Sequence, residues 1–548
     1  MTPSTTTTTS TTGYTWYETL PDHYYITTAI DYVNAAPHLG HAYEKMATDT
    51  LARVYRLLGV PTFFLTGTDE HGIKVEKNAR AHGMDPKAFT DKLSQEFINT
   101  WQHCSIDYDR FVRTTDADHL TVVHHLWNTL LAKGDIYKAS YKARYCSGCE
   151  AFLTERDLTE DGLCHIHQVA PEWVEEENYF FKLSAYKEAI LAHIEANPAF
   201  IQPAFRRQEL LNMLEDLQDI SVSRSKASVT WGLPVPNDDS QVIYVWIDAL
   251  SNYLTGIGYQ TETDTYNRYW HNNAGKPNAV HIIGKDILRF HALYWPAMLL
   301  GAGVPLPKTI FAHGFITLNE AKISKSLGNV ISPVDVTDHF LLPNTDSIRY
   351  YLLTQTPFGN DGNFSMDEFK LKVNADLANN LGNLLNRTLS MLKKYFGGVV
   401  PAFDVHAPVV GELSETVTLA NQTIEAYRSY NFSLAAETLL KRVDQANRLI
   451  NDQEPWTLYK EERLTELANL IGNVLESLRI VAVLFEPLLP NLSQAILAQL
   501  GLGSADESTL SLEQRLASTL AEGVVTQPSG PLLPRLDSEL VGADAKRA

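Results

Sequence analysis

An alternation of strand-like and helix-like segments in the first part of the chain constrains its fold more than any other feature. Residues 24–30 are β-branched and aromatic, and apolar side chains then recur at helical spacing up to residue 58. A second strand-like run at residues 62–65 and a second helix-like segment at residues 86–103 follow. A strand, a helix and a strand in this order form a parallel βαβ unit. We therefore predict an α/β domain built on a parallel sheet.

A second α/β half is predicted to begin near residue 237. Three further strand-like runs lie at residues 242–247, 279–283 and 310–317, with a helical pattern between the last two. About 100 residues separate this half from the first one. The parallel-sheet domain is therefore predicted to be interrupted by an insertion.

The last third of the chain has helical spacing throughout. One apolar stripe consists of Leu377, Leu381, Leu384 and Leu385, and such stripes predict a helix bundle. The composition changes at both ends of the chain, because the start is rich in Thr and Ser and the end is polar. We predict a disordered start and a loosely attached tail.

The formal net charge of the 548 residues is -20. Such a charge opposes non-specific adhesion to nucleic acid or to an anionic membrane, so any nucleic-acid binding must use a local basic surface. The sequence has no uninterrupted apolar run of about 18 residues, and its first twenty residues lack Lys, Arg and an apolar core. These features predict a cytoplasmic protein without a membrane span.

The segment HLGH at residues 38–41 stands where a predicted strand passes into a predicted helix. Free backbone N–H groups and the helix dipole favour a phosphate at such a helix start, and Gly40 lets a nucleotide approach the backbone closely. His38 and His41 lie on one helical face, where both could donate hydrogen bonds to a phosphoryl group in its transition state. A helix start with surface histidines is the alternative interpretation.

A second phosphate-type motif, KISKS at residues 322–326, follows the last predicted strand. Lys322 and Lys325, on either side of Ser324, suit a mobile clamp that neutralises pyrophosphate as it leaves. A solvated lysine loop is the alternative. Both motifs fall at the expected carboxyl-end edge of one parallel sheet, where α/β proteins bind ligands, and this favours a shared phosphate site.

A third motif has the spacing of a structural zinc site. Two short chelating pairs are separated by fourteen residues, which allows a closed tetrahedral site with no open position. The four predicted ligands of one Zn²⁺ per chain are Cys146, Cys149, Cys164 and His167. His165 is the alternative fourth ligand, and Cys104, outside the cluster, is predicted to be a buried apolar thiol.

With HLGH and KISKS about 280 residues apart in these contexts, the chain resembles the class I aminoacyl-tRNA synthetases. The runs ITTAIDYVNAAPHLGHAY, TGTDEHG, VWIDALSNY, IIGKDILRFHALYWPAML and HGFITLNEAKISKSLGN are similar to those of the methionyl members. The resemblance implies activation of L-methionine by ATP with Mg²⁺. It also implies transfer of the methionyl group to initiator and elongator methionine tRNA.

The resemblance further implies an α/β fold: a Rossmann-type parallel-sheet catalytic domain, interrupted by a zinc-knuckle connective insertion and followed by an all-α anticodon-binding helix bundle. The predicted domains are a disordered start (1–20), the first Rossmann half (21–134), the connective insertion (135–236), the second Rossmann half with the KISKS loop (237–330), a stem-contact linker (331–365), the anticodon-binding domain (366–510) and a tail (511–548). The chain is also expected to be a monomer, because no appended oligonucleotide-binding domain follows the helices.

Site residues follow from the resemblance position by position. An apolar and aromatic pocket suits the polarizable thioether of methionine, although ordinary core packing is the alternative for each aromatic side chain. The pocket positions are Ala29, Ile30, Tyr32, Trp246, Ala249, Tyr253, Ile287 and His291. Asp69 matches the carboxylate that holds the substrate ammonium, and Arg224 matches an arginine that faces the active site. The expected ATP contacts are His38, Gly40, His41, Gly284, Asp286, Lys322, Ser324 and Lys325.

The helical tail resembles an anticodon-binding bundle. Asn383 and Arg387 are four residues apart, so they lie on one helical face, and Trp456 offers an aromatic ring on which a base can stack. The resemblance assigns these three side chains to the anticodon. A solvated helix face and a packed tryptophan are the alternative interpretation.

Three other functions compete with this prediction. The isoleucyl, valyl and leucyl enzymes need a large editing insertion, for which about 100 residues with a zinc knuckle leave little room, and the cysteinyl enzyme needs an open zinc site. A nucleotidyltransferase without tRNA would not need the helical tail. A non-catalytic RNA-binding relative is expected to have lost the signature residues, which this chain retains.

Overall fold

The computed structural model describes residues 13–146, 148, 151–153, 155–261, 263–271, 275–322, 330–407, 413, 415–503 and 510–536. The strands in chain order are β1 Tyr24–Thr28, β2 Asp31–Tyr32, β3 Thr62–Asp69, β4 Arg110–Arg113, β5 Ile136–Cys146, β6 Ala151–Leu153, β7 Glu172–Phe181, β8 Ile201–Gln202, β9 Ile220–Ser221, β10 Ser223–Ser225, β11 Pro234–Val235, β12 Asp238–Ile243, β13 Ala279–Gly284, β14 Thr309–His313, β15 Ile316–Leu318, β16 Ala321–Lys322 and β17 Gly362–Phe364.

The α-helices in chain order are α1 Leu39–Leu57, α2 Ile73–Ala81, α3 Pro86–His103, α4 Ala117–Lys133, α5 Lys187–Ala196, α6 Arg206–Glu215, α7 Val245–Leu250, α8 Asn252–Thr255, α9 Thr263–Tyr269, α10 Trp295–Ala302, α11 Pro333–Phe340, α12 Asp346–Thr354, α13 Met366–Val373, α14 Asn383–Phe396, α15 Thr416–Arg428, α16 Phe432–Gln453, α17 Pro455–Lys460, α18 Leu464–Phe485, α19 Pro490–Gln499 and α20 Leu512–Ala517. Two π-helical segments, Phe290–Tyr294 and Asn374–Gly382, lead directly into α10 and α14.

The central sheet contains seven strands, all paired in parallel, in the order β4, β3, β1, β13, β14 and β8, with β2 pairing the far end of β3. β1 lies between the two halves, because Tyr25 pairs with Phe63 on one side and with Ala279 on the other. All five β1 residues are buried, as expected for a strand covered on both faces by helices. The carboxyl ends of strands from both halves therefore meet beside β1.

The predicted strand at residues 242–247 is wrong in its second part. β12 ends at Ile243 and pairs antiparallel with β10 and β11, outside the central sheet, and α7 begins at Val245. The Tyr244 carbonyl already accepts the backbone N–H groups of Ile247 and Asp248. Short apolar runs fit a strand or a helix equally well, and tertiary packing selected the helix here.

The predicted strand at residues 310–317 is divided in two. β14 ends at His313 and β15 begins at Ile316, with Gly314 between them. A Cβ atom on Gly314 would lie 2.2 Å from the backbone oxygen of Asn360, so only glycine allows the chain to pass this neighbour. The break directs β15 and β16 away from the central sheet, as a hairpin that precedes the KISKS loop.

The region predicted as an insertion is mainly antiparallel. β5 and β7 pair along ten positions, with β6 and β9 at the edges. One part of it departs from the prediction, because β8 joins the central sheet and pairs Ile201 with Ile310. The chain therefore returns to the catalytic domain before the insertion ends.

The C-terminal part is a helix bundle, and the predicted stripe of Leu377, Leu381, Leu384 and Leu385 is buried. α18 is long and apolar enough to cross a membrane by length and composition, but 94% of its most apolar window is buried. It is the central helix of this bundle.

The chain ends depart from the predicted boundaries. Tyr14 and Trp16 are buried, and the backbone of Thr15 bonds to Asn421 on α15, so residues 13–20 pack on the bundle rather than being disordered. At the other end Leu536 is buried and exchanges two hydrogen bonds with Asn374. Residues 510–536 are therefore attached to the bundle, whereas residues 1–12 and 537–548 lie outside the described residues.

Candidate active site and metal site

The HLGH segment forms the first turn of α1. His38 is the N-cap residue: its Nδ1 accepts the backbone N–H of Gly40 at 3.0 Å, and Nδ1 of His41 accepts the backbone N–H of His38 at 3.1 Å. The two imidazole rings lie 3.9 Å apart between centroids. A Cβ atom on Gly40 would come within 2.9 Å of the His38 ring, so the glycine leaves room for this reciprocal cap.

The reciprocal cap determines which ring nitrogens of His38 and His41 carry protons. Burial and the nearby Lys45 charge lower the pKa of His38 to about 4, and burial together with His38 and Lys45 lowers the pKa of His41 well below its usual value. Both rings are therefore neutral at pH 7. Because both Nδ1 atoms accept a backbone N–H, the proton of each neutral ring is on Nε2. Each histidine can thus donate one hydrogen bond from Nε2.

The KISKS motif is described only at its first residue. Lys322 ends the hairpin of β15 and β16, where its backbone pairs with Thr317, whereas Ser324 and Lys325 lie outside the described residues. On the far side of the loop, the carbonyl of Ile331 accepts the backbone N–H of Leu39 at 3.0 Å. The structure therefore brings the chain that follows the KISKS loop against the HLGH turn.

The predicted methionine pocket is partly assembled by direct contacts. Trp246 on α7 stacks on Phe290, with ring centroids 3.7 Å apart. The Tyr253 hydroxyl donates to Nε2 of His291 at 2.7 Å, and Nδ1 of His291 donates to the carbonyl of Ile287 at 3.0 Å. These bonds fix the His291 ring, and burial lowers the pKa of His291 to about 4.

The remaining pocket positions come from strand ends and from α7. The half-buried Ala29, Ile30, Trp246 and Ile287 border the same apolar core that contains Tyr253. The backbone N–H of Ala29 donates to Ile282 of β13 at 3.1 Å, and Ala249 is buried one turn after Trp246. β1, β13 and α7 therefore contribute to one apolar wall.

The position predicted to bind the substrate ammonium lies next to this wall. β2 pairs Tyr32 with Asp69, and Asp69 is half-buried at the end of β3. The following residue, Glu70, is fully buried and accepts two hydrogen bonds from Arg113, at 2.6 and 2.8 Å. Glu70 therefore fixes the end of β3, while Asp69 stays at its edge.

Arg224 lies deeper than a surface arginine. It is 6% exposed, and its guanidinium lies over the ring of Tyr244, 4.5 Å from the centroid. It lines a cavity together with His71, Tyr145, Tyr244 and Val245. Val245 precedes Trp246, so this cavity adjoins the pocket wall.

The turn predicted to contact ATP follows β13. Gly284 is buried at its end and Asp286 is exposed. The neighbouring Lys285 pairs with Asp361 at 2.7 Å, which ties this turn to the segment before β17. The turn stands at the same carboxyl-end edge as the HLGH turn.

The predicted metal ligands converge as far as the structure describes them. The Sγ atoms of Cys146 and Cys164 each lie 3.9 Å from Nδ1 of His167, and the three ligand atoms lie within 4.8 Å of one another. His167, and not His165, belongs to this cluster. Cys149 lies outside the described residues. Cys104 is buried far from the cluster in sequence, and burial raises the pKa of its thiol to about 12.

The predicted anticodon residues lie on two helices of the bundle. Asn383 is exposed at the start of α14, and Nη2 of Arg387 donates to Oδ1 of Asn451 on α16 at 3.0 Å. Trp456 on α17 is 50% exposed. The structure leaves Asn383 and Trp456 accessible and shows no direct contact among the three within the described residues.

Sequence reasoning missed two features of the site. One is Phe290, the stacking partner of Trp246. Phe290 lies next to His291 in the run IIGKDILRFHALYWPAML, so its place in that run could have identified it as a pocket residue. A carboxylate between two buried histidines was also missed: Asp248 accepts from His71 at 2.7 Å and from His119 at 2.8 Å. His71 and His119 are more than 100 residues from Asp248 in the sequence, so no local sequence pattern predicts these contacts.

The free energy of unfolding is expected to fall as the pH is lowered from 6.5 to 4. The pKa of His291 is about 4 in the folded chain, against about 6.5 when unfolded, so between these values the unfolded chain binds a proton that the folded chain does not. The loss from His291 alone is about 3 kcal/mol at pH 4. Thermal unfolding midpoints measured from pH 7 to pH 4 should fall less steeply for His291→Gln. The exposed His82→Gln serves as control, and equal slopes for all three proteins would contradict the assignment.

Comparison with known proteins agrees with this geometry. Residues 24–162 and 157–389 match the family described as "tRNA synthetases class I (M)", so the chain is a class I aminoacyl-tRNA synthetase. It is 42% identical over 520 residues to the methionine–tRNA ligase of Caldanaerobacter subterraneus subsp. tengcongensis (94% of this chain, 79% of that protein). It is 43% identical over 486 residues to that of Nostoc sp. (87% and 90%).

A solved structure shares the fold. The crystal structure of Mycobacterium tuberculosis methionyl-tRNA synthetase bound by methionyl-adenylate is 40% identical, with a TM-score of 0.87 over 93% of this chain and 100% of that one. The chain belongs to the methionine–tRNA ligase family. The predicted α/β fold class with a helical C-terminal region is confirmed.

Proposed function

We propose that this chain is a ligase that activates L-methionine with ATP and then charges methionine tRNA. In the first step a carboxylate oxygen of methionine attacks the α-phosphorus of ATP. The bond from this phosphorus to the bridging oxygen breaks, and pyrophosphate leaves. In the second step a ribose hydroxyl at the 3′ end of the tRNA attacks the carbonyl carbon, and AMP leaves.

One observation carries this proposal: the HLGH turn, the chain after the KISKS loop and the aromatic pocket meet at one edge of one parallel sheet. Leu39 bonds to Ile331 there, while Tyr253 bonds to His291 beside the end of β13. An amino acid in the pocket and a nucleotide on the HLGH turn would therefore be neighbours, which is the requirement for in-line attack.

Residue roles follow from donor geometry and charge. Nε2 of His38 and Nε2 of His41 are assigned to the phosphates, where charge develops in the transition state, and Gly40 allows close approach. Gly284 and Asp286 contact the nucleotide from the turn after β13. Lys322 and Lys325 would neutralise charge on the departing pyrophosphate, and Ser324 would donate a hydrogen bond to it; a bound Mg²⁺ would supply further positive charge.

The methionine side chain is assigned to the wall of Ala29, Ile30, Tyr32, Trp246, Ala249, Tyr253, Ile287 and His291. Aromatic rings and apolar groups are a favourable environment for the polarizable thioether. Asp69 is assigned to the substrate ammonium, with Arg224 facing the same space from the adjoining cavity. A carboxylate at a half-buried strand end is an appropriate partner for an ammonium group.

The Cys/His cluster is assigned to one structural Zn²⁺. Zinc–sulfur and zinc–nitrogen bonds in a tetrahedron place sulfur about 3.6 Å from nitrogen, close to the 3.9 Å found for both cysteines. Cys146, Cys149, Cys164 and His167 would hold the ion with no open position. The ion would supply folding energy to the insertion and take no part in the reaction.

Recognition of the tRNA is assigned to the bundle. Trp456 offers a half-exposed ring for stacking with an anticodon base, and Asn383 and Arg387 offer hydrogen bonds to base edges. Initiator and elongator methionine tRNA are both expected partners. The cytoplasmic location and the monomeric state stay predictions.

The test is exchange of pyrophosphate into ATP with each of the twenty amino acids, followed by charging of purified methionine tRNA. Exchange with methionine alone, and charging at the same active-site concentration, are expected. Exchange with another amino acid would overturn the substrate assignment within the same class. Absence of exchange from folded, zinc-loaded protein would overturn the enzyme assignment.

A further inference from the structure

A buried group of four titratable side chains lies behind the proposed methionine pocket. Its centre is Lys45 on α1, which is 0% exposed. The Lys45 ammonium donates to the Ala29 carbonyl at 3.1 Å, to Oδ1 of Asp31 at 2.6 Å and to Oε1 of Glu44 at 3.0 Å. Its three donor positions are therefore all used.

The fourth member connects this group to the strand that leads to the KISKS loop. Nε2 of His313, the last residue of β14, lies 3.0 Å from Oε2 of Glu44, and its Nδ1 lies 2.7 Å from the Gly314 carbonyl. Lys45 and His313 lower the pKa of Glu44 despite its burial, so this carboxylate is ionised. The two ring nitrogens of His313 thus face a carboxylate oxygen and a carbonyl oxygen.

The group joins three segments that the proposed reaction uses. α1 carries His38 and His41 at its start, and Lys45 lies one helical turn after His41. Ala29 and Asp31 belong to the segment 29–32, whose last residue pairs with Asp69. Lys45, on the helix whose first turn is assigned to the phosphates, therefore holds segment 29–32, which is assigned to the amino acid.

We propose that Lys45 is a positioning residue for methionine. The Lys45 ammonium holds segment 29–32 at a fixed distance from the HLGH turn. The proposal rests on the assignment of Ala29, Ile30 and Tyr32 to the methionine pocket. In-line attack requires the carboxylate and the α-phosphorus to be held within about 3.5 Å, so a displaced segment lowers the rate even when both substrates bind.

The burial of Asp31 explains why the contact between Lys45 and Asp31 is sensitive to the loss of Lys45. Asp31 is 6% exposed, and its second oxygen, Oδ2, is buried and has no hydrogen-bond partner among the residues that the structure describes. Burial raises the pKa of Asp31 to about 7, and the Lys45 charge opposes this shift. Without Lys45, the Asp31 carboxylate must take up a proton or move toward water, and either change disturbs the backbone that lines the pocket.

The experiment compares five variants of the full-length, zinc-loaded chain by pyrophosphate exchange. Lys45→Met is expected to lower kcat/KM for methionine by about 10- to 100-fold with a smaller effect on KM for ATP. The double variant Asp31→Asn with Lys45→Met is expected to regain part of this loss, because the uncompensated carboxylate is gone. Lys92→Met, an exposed lysine of α3, should match the wild type.

Trp246→Ala separates the two proposals. If it leaves KM for methionine unchanged, the pocket assignment fails; if it raises KM while folded Lys45→Met stays within twofold of the wild type, only the role of Lys45 fails. Should Lys45→Met not fold, Asp31→Asn decides, because it removes the ion pair and keeps the Ala29 contact. An unchanged kcat/KM for methionine in folded Asp31→Asn would overturn the proposal.

Discussion

Replacing His38 by asparagine is expected to slow methionyl-adenylate formation by about 10²- to 10³-fold and to leave the chain as stable as the wild type. The asparagine oxygen can accept the backbone N–H of Gly40, as His38 Nδ1 does at 3.0 Å, so the start of α1 stays capped. The lost group is the Nε2 donor. Removal of one donor that faces developing charge in a transition state typically has an effect of this size.

His38→Ala provides the comparison, because it removes both the donor and the cap. It should slow adenylate formation to the same extent and also lower the free energy of unfolding by about 1 kcal/mol. Single-turnover formation of the adenylate measures the first effect, and thermal unfolding measures the second. A normal rate in His38→Asn would show that the ring acts only as a helix cap.

Replacing Cys164 by serine is expected to remove the metal. The cluster of Cys146, Cys164 and His167 places three ligand atoms within 4.8 Å, and a serine hydroxyl is a far weaker zinc ligand than a thiolate. Structural zinc contributes roughly 10–16 kcal/mol of binding free energy in small zinc domains. The insertion should therefore loosen, and its protease sensitivity should rise.

The measurement is zinc content per chain after dialysis against a chelator. One zinc per chain is expected for the wild type and for Cys104→Ala, whose thiol lies outside the cluster, and none for Cys164→Ser. His167→Ala should lose the ion, whereas His165→Ala should keep it. Retention of zinc by Cys164→Ser, or loss of zinc from His165→Ala, would contradict the assigned ligand set.

The two largest predictions differ in how far sequence could support them. The helix start at HLGH, the strand before it and the two chelating pairs are local patterns, each within a few residues, and local patterns follow from backbone and side-chain preferences alone. The donor atom of each histidine is a different matter. It depends on which backbone N–H each ring accepts, and only the coordinates show that Nδ1 is occupied in both.

The sequence by itself determined that a parallel sheet carries the HLGH turn, that a segment with a Cys/His cluster interrupts the two halves of this domain and that a helix bundle follows. The tertiary structure decided what local preference leaves open. It made a helix of residues 245–250, selected His167 over His165, stacked Phe290 on Trp246 and placed Lys45 between Asp31 and Glu44. These choices depend on contacts between distant segments and on the cost of burying charge without a partner, neither of which a local pattern contains.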